Sequence, residues 1–212
     1  MTKYYPVYLN LQGRKCLIAG GGQVALRKAT ALLEHGAEVT VVSPRLCAGL
    51  RKLEREGMLK SVNRSYRDGD IKGVSIAVIA TSNSKINRSA AEEARKRRVP
   101  VNVVDDPVLS DFIVPSILRR GDLSIAVSTS AKSPALARKI RSRLEGAFGN
   151  EYASLVTVIE EVRRRIKKQG LKVSSSDWQR TIDIDSMIAL IREGRSEEAG
   201  QALIEKLRKC AK

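Results

Sequence analysis

The stretch "CLIAGGGQVALRK", residues 16–28, decides the fold. An apolar run ends in three glycines, and a helical pattern begins at once. Such backbone freedom is useful where a chain turns sharply or lets something approach its main chain. Gly20, Gly22 and Ala25 form G-x-G-x-x-A between a strand and a helix. The first glycine permits the tight turn, the second lets main chain approach a pyrophosphate, and the small third residue lets helix and strand pack closely. The helix N-terminus then faces the phosphates. A glycine-rich turn in an α/β domain without a ligand is the alternative reading.

Working outward, residues 15–104 alternate between two periodicities. "KCLIA", "AEVTVVS", "LKSVNRSY", "VSIAVIA" and "VPVNVV" read as strands. The runs Val24 to His35, Leu46 to Glu56 and Asn87 to Arg98 read as helices. This alternation predicts an α/β, Rossmann-like parallel sheet covered on both faces. After Pro107 the pattern changes. "FIVPSILRR" and "DLSIAVSTS" predict a hairpin turning at Arg120-Gly121. A helix follows, with Ser133 as its N-cap and Pro134 at its first position. From Asn150 the chain reads as helices broken by a polar linker, "GLKVSSSD". The expected division is a nucleotide domain over 1–112, a small α+β region over 113–149 and a helical C-terminal domain over 150–212.

The second strand ends in Ser43 and Pro44, followed by Arg45. An acid there would hold the ribose hydroxyls and reject a 2′-phosphate, so these residues alone leave NAD and NADP open. Open parallel sheets bind ligands beyond the carboxyl ends of their strands. Two further strand ends should share that edge. One carries Thr81, Ser82 and Asn83 as a polar lip; the other carries Asp105 and Asp106 before Pro107. Adjacent residues face different ways, so one acid is expected to be functional and the other structural. Two turn aspartates before a proline are the competing reading.

The formal charge is +16, which implies an acidic partner. Aromatic residues make up only 4%, which leaves few platforms for stacking single-stranded nucleic acid. Cys16, Cys47 and Cys210 have no close spacing, so reduced thiols are expected, and with His35 as the single histidine no metal site is expected. His35 suits a structural place at a helix C-terminus. No apolar stretch is long enough to cross a membrane, and residues 1–15 lack the layout of a signal peptide, so the cytoplasm is expected.

The segments "YPVYLNLQGRKCLIAGGGQVALRKATALLEHGAEVTVVSP", "VIATSNSKIN", "VNVVDDP", "DFIVPSIL" and "LSIAVSTSAKSPALARKIRSRLE" resemble the precorrin-2 dehydrogenase family of siroheme synthesis. That family includes stand-alone bacterial and archaeal enzymes, the bifunctional yeast enzyme and the N-terminal module of the fused siroheme synthase. The resemblance covers about residues 4–148; "EYASLVTVIEEVRRRIKK" resembles the helical C-terminal part more loosely. It implies oxidation of precorrin-2 to sirohydrochlorin with NAD as hydride acceptor, and a homodimer built through the middle region. It makes Asp105 the catalytic acid, as base or proton relay. Cofactor contacts are then expected from Gly20, Gly21, Gly22, Gln23, Val24, Ser43, Pro44, Arg45, Thr81, Ser82 and Asn83. The substrate is a polycarboxylate tetrapyrrole, which suits the charge. Ser128, Thr129, Ser130 and Ser133, before a helix, are candidate carboxylate contacts, with Arg119, Arg120, Lys132, Arg138 and Arg141 as a basic rim. Two other functions stay in view. One is an enzyme that also inserts iron into sirohydrochlorin. The other is a basic NAD-binding regulator of nucleic acid, drawn from "RKRR" at 95–98 and "RRRIKK" at 163–168, although no nucleic-acid-binding motif accompanies them.

Overall fold

The computed structural model describes residues 4–211, so residues 1–3 of the stretch read for a signal lie outside it. The chain forms two compact units that divide between Val114 and Pro115.

In the first unit, β1 (Lys15–Ala19), β2 (Glu38–Val42), β3 (Lys60–Val62), β4 (Ile76–Ile79) and β5 (Val101–Val103) build one sheet in the order β3-β2-β1-β4-β5. All four pairings are parallel, with Cys16 level with Val39 on one side and Ile76 on the other. α1 (Gln23–Glu34), α2 (Ala48–Arg55) and α3 (Ser84–Arg97) are the crossover helices. Alternate side chains of each strand serve opposite faces. Leu17, Ala19, Ala77 and Ile79 pack with Ala90, Ala91 and Ala94 of α3. Cys16, Ile18, Val39 and Val41 pack with Ala25 and Ala29 of α1 and with Leu50 of α2. Alanines at the helix contacts let the helices lie close to the sheet. Every residue of β4 is buried, as its unbroken apolar run requires. Burial pushes the Cys16 thiol up to about 11, so it stays protonated at neutral pH.

Several elements are shorter or shifted relative to the sequence reading. The strand expected over 59–66 pairs only through Lys60–Val62. Arg64 makes a bidentate pair with Asp70, and the buried Tyr66 donates its hydroxyl to Glu93 of α3, which draws the chain off the sheet. Burial opposes charge on Glu93, but hydrogen bonds from Tyr66, the Gly69 amide and Arg97 outweigh it and hold the carboxyl below its usual range. α3 begins three residues before the expected Asn87, because Asn83 caps it.

The second unit opens with the hairpin β6 (Ser116–Arg120) and β7 (Leu123–Val127). Its turn is Gly121-Asp122 rather than Arg120-Gly121: Arg120 still pairs with Leu123, and Gly121 takes the left-handed φ of +56°. α4 (Pro134–Ala147) follows, started by Ser133 and Pro134 as the sequence indicates. α5 (Glu151–Lys168), α6 (Ser175–Thr181), α7 (Ile184–Arg192) and α8 (Ser196–Cys210) share a core around Leu155, Val162, Ile188, Leu203 and Leu207. α6 begins inside the stretch read as linker, where the Ser174 hydroxyl accepts from the Asp177 amide. Among the described residues no helix is long and apolar enough to cross a membrane.

Candidate active site

Because all strands of the sheet run in parallel, the residues after β1, β2, β4 and β5 emerge at one edge. Gly20, Ser43, Thr81 and Asp105 stand within two residues of those ends.

The three glycines do different things. Gly20 has φ +122°, and a β-carbon on it would lie 2.3 Å from the Ala80 carbonyl oxygen. A β-carbon on Gly21 would lie 1.9 Å from the Arg45 carbonyl oxygen. Both are thus glycine because neighbouring main chain leaves no room. Gly22 is unlike them: nothing lies within 4 Å of a β-carbon built on it. It is the N-cap of α1, no side chain caps that helix, and its first turn holds no acid. Open space before an uncapped helix start suits an anionic group such as the pyrophosphate of a dinucleotide.

The remaining cofactor candidates divide by what their side chains already do. Ser43 is buried, and its hydroxyl donates to the Arg45 carbonyl at 2.8 Å, so it shapes the turn after β2; Pro44 and Arg45 are exposed. Thr81 donates to Asn87 at 2.5 Å, and the Asn83 side chain accepts from the Lys85 and Ile86 amides. Ser82 is exposed between them.

Asp105 and Asp106 separate cleanly. The Asp106 amide donates to the Val103 carbonyl at 3.2 Å, closing a four-residue turn with Asp105 third. A positive φ at that position favours glycine or asparagine, yet Asp105 holds φ +59°. Left-handed backbone at a non-glycine residue costs on the order of 1–3 kcal/mol and persists where its surroundings enforce it. They do so here. The Asp106 carboxylate accepts from the Val108 and Leu109 amides at 3.1 Å each. The Ser110 hydroxyl donates to the Val103 and Asp106 carbonyls and accepts from the Val103 amide. Arg95 of α3 reaches the Val108 carbonyl at 3.1 Å. Asp106 is committed to the turn, while Asp105 is exposed on it.

The tetrapyrrole-contacting candidates lie in the second unit. Ser128, Thr129, Ser130, Lys132 and Ser133 share one loop between β7 and α4, where Ser130 and Ala131 both have positive φ. Its hydroxyls are partly occupied: Ser128 accepts from the Ser130 amide, Thr129 from the Ser133 amide and Ser133 from the Leu136 amide. Arg119 and Arg138 are exposed. Arg120 departs from the expected rim, because its guanidinium donates to the carbonyls of Phe148, Arg119 and Glu145 and so closes the end of α4. Arg141 pairs with Glu145 one turn on. Among the described residues no group of three or more His, Cys, Asp or Glu side chains is placed to hold a metal ion.

Residues 7–116 match the family described as NAD(P)-binding. The chain belongs to that family. Residues 120–147 match the central segment of the sirohaem biosynthesis protein. Among curated proteins, the siroheme synthase of Thioalkalivibrio sulfidiphilus is 37% identical over 202 residues, covering 94% of this chain and 41% of the relative. That of Methylococcus capsulatus is 35% identical, covering 95% and 43%. The chain therefore spans about two-fifths of the length of these relatives. Among solved structures, SirC, precorrin-2 dehydrogenase, superposes with a TM-score of 0.77 at 28% identity, covering 95% of this chain and 100% of that one.

Sequence reasoning missed Ser110 and Arg95 as supports of the Asp105 turn. A serine at that spacing from an Asp-Pro pair is a weak sign of a loop folding back on its strand, and nothing in the sequence marks Arg95.

Proposed function

We propose that the chain is an NAD-dependent dehydrogenase that oxidises precorrin-2 to sirohydrochlorin. The observation that carries this reading is the pairing, at one sheet edge, of an uncapped helix start behind the open Gly22 with a carboxylate on a left-handed turn. The likeness to a structure titled precorrin-2 dehydrogenase supplies the substrate.

When bound, NAD supplies the hydride acceptor. The amides at the start of α1 hold the pyrophosphate, and Gly22 leaves it room. The substrate gives up one hydride and one proton. The Asp105 carboxylate takes the proton, becomes a carboxylic acid and returns the proton to water at its exposed position. The net charge of +16 suits the substrate's carboxylates. NAD is preferred over NADP, a preference supported by the family resemblance. The same resemblance supports a homodimer built through the middle region, and the free thiols agree with a cytoplasmic place.

The test compares Asp105→Ala with Asp106→Ala in anaerobic single turnovers with precorrin-2 and NAD. A positioned base contributes about 10²–10⁴-fold, so Asp105→Ala should lose rate on that scale while folding and NAD binding persist. Asp106→Ala should lose far less rate and lower the melting temperature. Near-normal rates for Asp105→Ala, or a greater loss for Asp106→Ala, overturn the assignment. A parallel arm with ferrous iron reads chelation directly.

A further inference from the structure

β5 is the last strand of the sheet, so its outer edge has no neighbouring strand. The chain after the Asp105 turn returns along that edge. The Asp111 amide donates to the Val101 carbonyl at 2.8 Å, and the Val101 amide donates to the Asp111 carboxylate at 3.1 Å. The buried Asn102 donates its side-chain amide to the Phe112 carbonyl at 3.0 Å. The Val103 amide, at the end of the strand, finds the Ser110 hydroxyl at 2.9 Å. Ser110 is thereby placed, half-buried, beside the turn that carries Asp105.

An acceptor for one edge amide would satisfy the sheet, and many residues could supply it. The proton of the Ser110 hydroxyl does something more. It faces the Val103 carbonyl at 3.1 Å and the Asp106 carbonyl at 2.8 Å. A hydroxyl has a single proton, so the two carbonyls share it. They belong to the first and last residues of the four-residue turn, whose own closing bond, from the Asp106 amide to the Val103 carbonyl, is 3.2 Å. One side chain thus holds both ends of the turn, with Asp105 between them at φ +59°. The other braces, the Asp106 carboxylate and Arg95, act on residues 108 and 109, beyond the turn. A left-handed residue points its side chain where neither helical nor extended backbone would. If the turn relaxes, the Asp105 carboxylate is re-aimed.

We propose that Ser110 is a positioning residue for the reaction: its hydroxyl pins both ends of the turn and so aims the Asp105 carboxylate. Its effect on turnover rests on the dehydrogenase reading above; its hold on the turn does not.

Two double-mutant cycles keep these apart, built with Ser110→Val, which removes the hydroxyl, and Ser110→Thr, which retains it. The first reads the melting temperature of the protein free of cofactor. Asp105→Gly relieves the left-handed strain and should raise the melting temperature by about 2–4 °C. In the Ser110→Val protein the turn is already released, and the same substitution should gain less than half as much. An equal gain in both backgrounds overturns the hold. The second reads anaerobic single turnovers with precorrin-2 and NAD. Ser110→Val should slow oxidation about 10–100-fold with NAD affinity unchanged, and Ser110→Thr should recover most of the rate. On an Asp105→Ala background Ser110→Val should cost no further rate, although it still lowers stability. An undiminished loss on that background, or normal turnover in Ser110→Val, overturns the positioning role. Ser110→Ala repeats both cycles should Ser110→Val fail to fold. If the wild-type protein does not oxidise precorrin-2, the dehydrogenase reading falls, and the melting cycle still decides the hold.

Discussion

α1 and α3 both start at the same edge of the sheet, one after β1 and one after β4, yet their first turns are finished in opposite ways. At α3 the Asn83 side chain accepts from the Lys85 and Ile86 amides at 3.0 and 3.2 Å. At α1 the cap is Gly22, with no side chain to accept anything. In the second unit, α4 follows the α3 pattern, with Ser133 as cap and proline at its start. A good cap contributes about 1 kcal/mol, so α1, like α2, forgoes a stabilisation that α3 and α4 use. What sets α1 apart is that its uncapped start coincides with the open space at Gly22.

The strongest way to break this comparison is Gly22→Asp. Aspartate is a favourable cap, and the space at Gly22 is open, so the unliganded protein should gain a few tenths of a kcal/mol. Its carboxylate would sit where the pyrophosphate belongs, and NAD affinity should fall about 100-fold or more. Calorimetric titration and thermal unfolding of the same samples read both effects. Unchanged affinity would remove the start of α1 from the cofactor site. Gly21→Ala sharpens the contrast from the other side. Its β-carbon would overlap the Arg45 carbonyl and the Ser43 hydroxyl, so stability should drop by about 1–3 kcal/mol through a clash in the fold itself. A Gly21→Ala protein as stable as wild type would show that this turn yields. The smallest effects belong to Asn83→Ala and Ser133→Ala. Each should cost about 1 kcal/mol of stability. Chemical denaturation checks this, and unchanged stability in either variant would erase the distinction between capped and uncapped starts.

Much of this was legible in the sequence because its signals are local. "KCLIAGGG" announces a strand, a tight turn and a helix start within eight residues, and "SP" announces the cap of α4. The separation of Asp105 from Asp106 was legible as a principle, since neighbours diverge, but its cause was not. It depends on Ser110 folding back to Val103 and on Arg95 arriving from another element. β3 was overread for the same reason. "LKSVNRSY" alternates well, yet Tyr66 answers to Glu93, 27 residues further on. Arg120 looked like a surface cation and proves to be bound by three carbonyls, two of them at the end of α4. Interactions between side chains distant in sequence leave no periodicity to read.

The left-handed backbone at Asp105 has a consequence for descent and for engineering. Glycine or asparagine would sit more comfortably at the third position of that turn, so selection for thermal stability alone pulls residue 105 away from aspartate. On the proposed role of Asp105 as the base, selection for turnover pulls it back. In a library randomised at this position, survivors of a heat challenge should be enriched in glycine and asparagine, and survivors of a growth requirement for the product in aspartate. On that proposed role, the two selections would leave different residues at one turn of an otherwise unchanged scaffold.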